Sequence, residues 1–396
     1  MRTLKTISAI LVCGLILSSV PCRLFAQEDE DDDAEKVIFM EVPPVITTPS
    51  HGGNEILQNL VNMIGKKRDI VPVYFYTPET QSGFGVSGVH LFSCEGSCDP
   101  TRPSSLRLTA VGTTTGQRVF SVAPEIYFNK GEYIFRSALT FLTFKDRFYG
   151  LGEQTVEGVY ETFGSQDTIL TTSLLRRISP KIYAGLVEHF RQTKILSVSD
   201  NGLPVQGDIP GSQDANVSSL GVTVIRDTRN NIFEPSEGSL CSFTSSRYDK
   251  IFGSDYEFMK STIDLRKYFP CFTTHVLAIE GLAQWVNGDV PFQDMPYVGG
   301  QNVMRGYYMG RFRDNDMMFA RWQYRMPLYW RFHLAFFEGF AALADRFSDF
   351  RADEIKEAHG FGIRYMVDPD NKINIRLDFG FTPDSAKTYL TFLEAF

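Results

Sequence analysis

Beyond residue 26 the apolar residues of this chain alternate with polar ones, and no stretch reaches the run of about 18 apolar residues that a membrane-spanning helix needs. From Val71 onward, segments of roughly 8–15 residues follow one another between turn signals, the rhythm of a barrel whose strands face two environments. Read as strands they are Val71–Thr77, Phe84–Phe92, Ser105–Thr114, Gln117–Phe128, Glu132–Lys145, Gln166–Arg176, Lys181–Thr193 and Ser218–Arg226. The rest are Ser239–Asp249, Tyr256–Lys267, Thr273–Asn287, Asp314–Pro327, Arg331–Asp345, Ala358–Val367, Lys372–Phe381 and Lys387–Phe396, sixteen in all. In Lys372–Phe381, Ile373, Ile375, Leu377 and Phe379 take one face, and Lys372, Asn374, Arg376 and Asp378 the other; Ile263 and Leu265 alternate likewise with Thr262, Asp264 and Arg266. Sixteen strands in an open sheet would leave edges to protect, and closure removes them. The expected fold is all-β: a transmembrane antiparallel β-barrel of 16 strands over residues 71–396, with a short N-terminal extension.

Connection lengths give an independent check. Counting back from a periplasmic C-terminus, the tight connections 129–131, 177–180, 268–272, 328–330 and 368–371 fall on one side, and the long ones 146–165, 194–217, 288–313 and 346–357 on the other. Short periplasmic turns and long external loops are the habit of such barrels. The segment holding Cys94 and Cys98 and the segment Asp227–Gly238 break the pattern, being long turns on the periplasmic side.

Residues 1–26 read as a cleaved secretory signal: Arg2 and Lys5, the apolar run Ile7–Val20, and Leu24-Phe25-Ala26 before Gln27. Cys22 lacks the leucine and small-residue pattern of a lipoprotein site ahead of it. Removal of that segment takes away three basic residues (Arg2, Lys5, Arg23) and no acidic one, so 36 Lys and Arg remain of 39 against 47 Asp and Glu. An acidic balance of this kind excludes the basic stripe of a nucleic-acid binder. Residues 27–70 are acidic, then Pro-rich, and Ile56, Leu57, Leu60, Val61 and Ile64 fall on one helical face over Asn54–Gly65. Such a helix would plug the barrel, rest at its mouth, or simply begin the fold. The location expected is the outer membrane of a Gram-negative cell.

Of the cysteines left after processing, Cys94 and Cys98 bracket a short turn-rich stretch and could pair in an oxidising compartment. Zinc would need two further ligands there, and none is near. No phosphate-cradling Gly-rich loop, His-Glu-x-x-His or Gly-x-Ser-x-Gly appears, and the six histidines are scattered. No enzyme activity, metal or cofactor is expected.

Three segments carry a family resemblance. The first is Gly299-Gly300-Gln-Asn-Val-Met-Arg305-Gly306-Tyr307-Tyr-Met-Gly310-Arg311-Phe-Arg313-Asp314; the second is Asp227-Thr-Arg229 followed by Pro235 and Gly238; the third is a last strand finishing in Phe396. In that order the chain resembles the BamA/TamA (bacterial surface antigen) barrel family over roughly residues 71–396. The resemblance implies that the loop 288–313 folds into the lumen and that Arg305 meets a carboxylate on an inward strand position. A buried guanidinium needs such a partner, because an unpaired buried charge is costly. Glu338 is the candidate, with Asp264, Glu280 and Asp378 as substitutes; on the bland alternative Arg305 sits on a solvated loop tip. Asp227, Arg229, Pro235 and Gly238 also read simply as a self-stabilised turn. The family's insertases carry periplasmic repeat domains, and residues 27–70 hold no such unit, so a compact branch is expected.

Three functions follow. One is outer-membrane biogenesis through a weak seam between a short first strand and the last. The others are a passive pore for ions or small solutes, and a structural or docking component of an outer-membrane complex. The expected partners are outer-membrane lipid, other outer-membrane or periplasmic proteins, and the machinery that inserts the barrel itself.

Overall fold

The computed structural model describes residues 69–92 and 104–396, apart from 130, 157, 199–208, 232 and 370–371. The expected signal 1–26, nearly all of the extension 27–70, and the Cys94/Cys98 pair lie outside the described residues. The barrel strands are β1 (Asp69–Thr77), β2 (Gln81–Phe92), β3 (Ser104–Thr113), β4 (Arg118–Phe128), β5 (Tyr133–Phe148), β6 (Glu161–Ser179), β7 (Ile182–Val198) and β8 (Ala215–Asp227). They continue as β9 (Gly238–Tyr248), β10 (Phe258–Cys271), β11 (His275–Gly288), β12 (Asp316–Tyr329), β13 (Phe332–Ala344), β14 (Lys356–Asp368), β15 (Ile373–Phe381) and β16 (Ala386–Phe392). Each pairs antiparallel with its chain neighbours, and β16 returns to β1, so the sheet closes into one barrel of sixteen strands.

All sixteen expected strands are present, but several are longer than expected, β6 (Glu161–Ser179 against Gln166–Arg176) most of all. The β6–β7 ladder continues upward to Phe163↔Val198. Beyond the lipid, side-chain alternation is no longer imposed by the solvent, yet backbone pairing goes on. The last strand is shorter than expected: it stops at Phe392, and Leu393 turns the chain with a φ of 60°.

Lipid and lumen sort the side chains as the alternation requires. Phe84, Leu108, Phe120, Phe141, Leu174, Leu186 and Val222 are exposed on the outside, while Asn374, Arg376 and Asp378 of β15 are buried inside. The lumen is not a solvated channel at this level: the side chains of Arg364 and Asp378 are 1% and 0% exposed. These two charges are held by one another, at 2.5 Å.

The tight connections at the periplasmic end share a device. Asn129, Lys181, Phe272, Trp330 and Lys372, one in each, have φ between 49° and 67°. Hairpins favour left-handed turn residues because their twist then matches that of the strands. A side chain there costs about 1–2 kcal/mol, offset by the ladders on either side.

Candidate functional site

The long loop between β11 and β12 (289–315) folds back into the barrel. Its own framework is a two-stranded ribbon, Tyr297–Val298 against Phe312–Arg313, with a single helical turn over Gly300–Val303. Gly299 (φ 120°) enters that turn, and a Cβ there would meet the Tyr308 carbonyl oxygen at 1.9 Å, so no other residue fits.

Arg305 lies at the innermost point. Its Nη1 donates to Asp378 Oδ2 at 2.5 Å, its Nη2 to Gln323 Oε1 at 2.9 Å, and its guanidinium lies 3.5 Å from the centre of the Phe337 ring. Asp378 is shared: Arg364 Nη1 reaches its Oδ1 at 2.5 Å and Arg376 Nε its Oδ2 at 3.2 Å. The solvated-tip alternative is thus excluded, since Arg305 is 3% exposed. The loop backbone comes so near β15 that a Cβ on Gly380 would sit 2.6 Å from the Arg305 carbonyl carbon.

Glu338 is not the partner. On β13, Phe337 and Ala341 are buried and Phe336 is exposed, so Glu338 points outward with Phe336. A strand's side chains alternate strictly, and a position one residue out of phase faces lipid instead of lumen. There Glu338 accepts a hydrogen bond from Trp322 Nε1 at 3.1 Å. The substitutes Asp264 and Glu280 do point inward but hold other cations: both bind Arg266, and Glu280 also binds Arg321.

The rest of the motif serves the loop's docking. Gly306 N–H donates to Tyr389 Oη, whose hydroxyl also donates to the Tyr307 carbonyl, and Ser385 Oγ donates to the Gly306 carbonyl. These contacts lie on β16 and the turn before it. Tyr307 stacks edge-on against Phe312 at 5.4 Å. Just before Gly310 (φ 69°), Met309 N–H donates to Glu79 Oε1 at 2.9 Å, in the turn between β1 and β2. Burial pushes the Glu79 carboxyl up, with the Met309 N–H opposing. Arg311 donates to Thr155 Oγ1 and to the Thr155 carbonyl, at 2.5 and 2.7 Å. Arg313 lies 3.7 Å from Asp146 and donates to the Phe292 carbonyl. Asp314 accepts from Asn315 N–H, and burial raises its carboxyl.

Sequence reasoning missed a second anchor on the opposite wall. Asp294 takes Arg191 Nη2 of β7 at 2.5 Å, and its carbonyl accepts from Lys260 Nζ of β10 at 2.8 Å. The loop is thus tied to both walls. Glu79, Gln323, Tyr389 and Ser385 were missed as well. An acid in a two-strand turn and single polar residues on strands carry no local signal that a distant loop will land on them.

At the periplasmic end, Asp227 and Arg229 form a bidentate pair (Nε–Oδ1 3.0 Å, Nη2–Oδ2 2.8 Å), with Arg229 N–H also on Oδ1. Gly238 (φ 95°) closes the turn, where a Cβ would meet the Thr228 carbonyl oxygen at 2.1 Å. The self-stabilised reading accounts for these three, but not for Pro235, whose carbonyl accepts from Arg325 Nη1 at 2.9 Å. Phe396 also departs from expectation. It does not continue the lipid-facing side of β16: because the strand ends at Phe392, Phe396 turns into the lumen against Tyr268, Val276 and Ala278.

Comparison with known proteins fits this geometry. Among solved structures the chain is similar to BamA from Haemophilus ducreyi lacking POTRA domains 1–3 (TM-score 0.59, 12% identity, covering 83% of this chain and 71% of that one). It is similar also to CdiB from Acinetobacter baumannii (0.55, 11%, 83% and 60%) and CdiB from Escherichia coli (0.56, 9%, 85% and 69%). Identities this low speak for the fold alone. The Omp85 superfamily domain, however, matches residues 107–392, most of the chain and all of β4–β16. A closed sixteen-stranded barrel of this type is a structure of the outer membrane, and with that match the chain belongs to the Omp85 superfamily, as a BamA/TamA-like barrel.

Proposed function

We propose that this barrel acts in outer-membrane biogenesis, assisting the insertion or assembly of other outer-membrane proteins through the seam between β1 and β16, with no chemistry of its own. The observation that carries the reading is the seam itself. β1 and β16 share one register pair, Tyr76↔Leu390, whereas the next shortest ladder, β15–β16, has seven. Such an edge is a template for an incoming strand. A lumen filled by a loop fixed to both walls weighs against the passive pore. Clients and helper proteins of the outer membrane or periplasm would be the partners.

The test is assisted folding. Urea-unfolded small barrel protein is added to lipid vesicles with or without this protein, and its folding rate is read by heat-modifiable gel mobility. Tyr76→Cys with Leu390→Cys would lock the seam, since directly paired residues of antiparallel strands lie about 4.5–5.5 Å apart at Cα, within disulfide reach. Acceleration by the wild type, lost on oxidation of the double variant and restored by reductant, is the expected result. Equal acceleration by the locked barrel would remove the seam from the mechanism.

A further inference from the structure

At the periplasmic end, two segments cross the lumen in opposite directions and meet. The first is the turn 228–237, which leaves the barrel between β8 and β9, across the ring from the β1–β16 seam. Nevertheless Phe233 is buried with Val73 and Phe75 of β1, Val111 of β3, Ile373 of β15 and Leu393. The turn has therefore reached across the mouth to the seam strands.

The second is the segment 393–396. It leaves β16 at the seam, and its Phe396 ends on the far wall, against Tyr268 of β10 and Val276 and Ala278 of β11. On the way Glu394 enters an arginine cradle: Arg364 Nε at 3.1 Å and Arg325 Nε at 3.6 Å, with Gln323 Nε2 at 2.6 Å and Asn374 Nδ2 at 3.2 Å. Arg321 donates to the Ala395 carbonyl at 2.9 Å and lies 4.0 Å over the Phe396 ring. Arg325 ties the two segments, one nitrogen on the Pro235 carbonyl and the other on the Phe396 carbonyl. Directly between the segments, Glu394 N–H donates to the Phe233 carbonyl at 3.4 Å.

We propose that residues 228–237 and 393–396 form a periplasmic latch that seals the lumen and holds β1 beside β16, so that the seam opens only when the tail leaves its arginine cradle. The backbone closing the barrel is nearly absent, and what bridges the gap is the buried apolar cluster that unites Phe233 with residues on both sides of the seam, together with a tail that is itself the continuation of β16. Withdrawing the last strand outward pulls Glu394 and Phe396 from their seats and removes Leu393 from Phe233. The turn then loses its hold on β1. Seal and seam are one cooperative unit.

This deepens the biogenesis reading, but its test needs no client. Hydrogen exchange and bilayer conductance are measured on the purified full chain. In the wild type, amides of 228–237 are expected to exchange in step with β1 and β16, not with the flanking β8 and β9; exchange in step with β8 and β9 would overturn the proposal. Phe233→Ala leaves every charge in place, and Glu394→Gln leaves Phe233 in place. Each is expected to speed exchange in 69–77 and 386–392 by about tenfold or more, with β9 and β10 unchanged, and to raise the frequency of conducting events. The double variant is expected to do little more than the stronger single one. Unchanged seam exchange in either single variant, or a uniform rise over all strands, would overturn the latch. A latched barrel that assists no folding overturns only the biogenesis reading, and an assisting barrel whose turn moves independently overturns only the latch.

Discussion

Replacing Arg305 with alanine is expected to undock the lumen loop while leaving the barrel folded, and to do so less severely than replacing its partner Asp378 with asparagine. Breaking a buried ion pair ordinarily costs about 3–5 kcal/mol, mostly for the charge left behind. Here the charge left behind is not orphaned. Asp378 keeps Arg364 at 2.5 Å and Arg376 at 3.2 Å, and the mutual repulsion of three guanidiniums is relieved. Arg305→Ala forfeits its pair with Asp378, a loss offset in part by that relief, along with the bond to Gln323 and the stacking on Phe337, for a net cost of about 2–3 kcal/mol. That corresponds to a roughly 30- to 150-fold rise in the undocked population. Asp378→Asn instead strands Arg305 and Arg376, while Arg364 retains Glu394, so the cost is at the upper end of the range for a broken buried pair. Single-channel recording in planar bilayers reads the undocked loop as conducting events, and limited proteolysis from the external side reads the same population as cleavage within 289–315. An effect of Arg305→Ala equal to or above that of Asp378→Asn in both assays, or a loop that stays protected and silent in Arg305→Ala, would contradict this ordering of the charges.

Three further outcomes follow from the same geometry. Glu338→Gln, on the outer face, is expected to leave conductance and loop proteolysis at wild-type values, and any opening would contradict its placement beside Trp322. Gly380→Ala puts a methyl 2.6 Å from the Arg305 carbonyl carbon and is expected to undock the loop without altering any charge, seen as conductance in a barrel of normal heat-modifiable mobility. Glu234, in the periplasmic turn, is pushed up to about 7 by burial and by Glu394, against the pull of Arg325, Lys372 and Arg364. A carboxyl raised above its unfolded value of 4.5 disfavours the folded turn once it must ionise. The turn is therefore expected to be most protected in hydrogen exchange below about pH 4.5 and to loosen up to about 7, and Glu234→Gln is expected to flatten that slope. Glu394 does not contribute in this window: burial opposes its ionisation, but Arg364, Arg325 and Arg376 hold it well below the usual carboxylate range.

The strands were legible because lipid enforces a rule on every second residue, and Ile373, Ile375 and Leu377 obey it locally. The loop was legible as far as its own residues: glycines where the backbone must turn, and an arginine that needs an acid. Its partner was not. Arg305 and Asp378 are 73 residues apart, and which carboxylate faces the loop depends on strand parity and on register around the ring. Glu338 failed on parity alone. The tight periplasmic turns were placed by length, yet Phe272 and Trp330 at positive φ gave no glycine or asparagine to announce them. The end of β16 misled for a different reason. Leu390, Phe392, Glu394 and Phe396 share one face of a continued strand, and the Glu394 charge among them gives no sign that β16 stops at Phe392. In the fold that charge is the feature that matters, since four side chains inside the barrel are arranged to receive it.

These details bear on how a barrel with almost no closing ladder stays shut. Seven to sixteen register pairs join the other neighbours, and one joins β1 to β16. If the missing ladder were replaced by lipid-facing contacts, the seam would be a permanent weakness, because hydrocarbon offers no competing partner for a bare strand edge. Instead the closure has been moved inside. Near the external end, the loop reaches Glu79 beside β1 and Ser385 and Tyr389 beside and on β16. Near the periplasmic end, Phe233 is buried in one cluster with Val73 and Phe75 of β1 and with Leu393. Both staples are made of side chains and loop backbone held by buried charged pairs, where a satisfied pair is firm and a broken one is costly. Main-chain ladders yield one bond at a time along their length. Staples of this kind yield as units, and each is reachable from one side of the membrane only. A seam closed in this way can stay shut against thermal fraying and still open in response to something that engages one end.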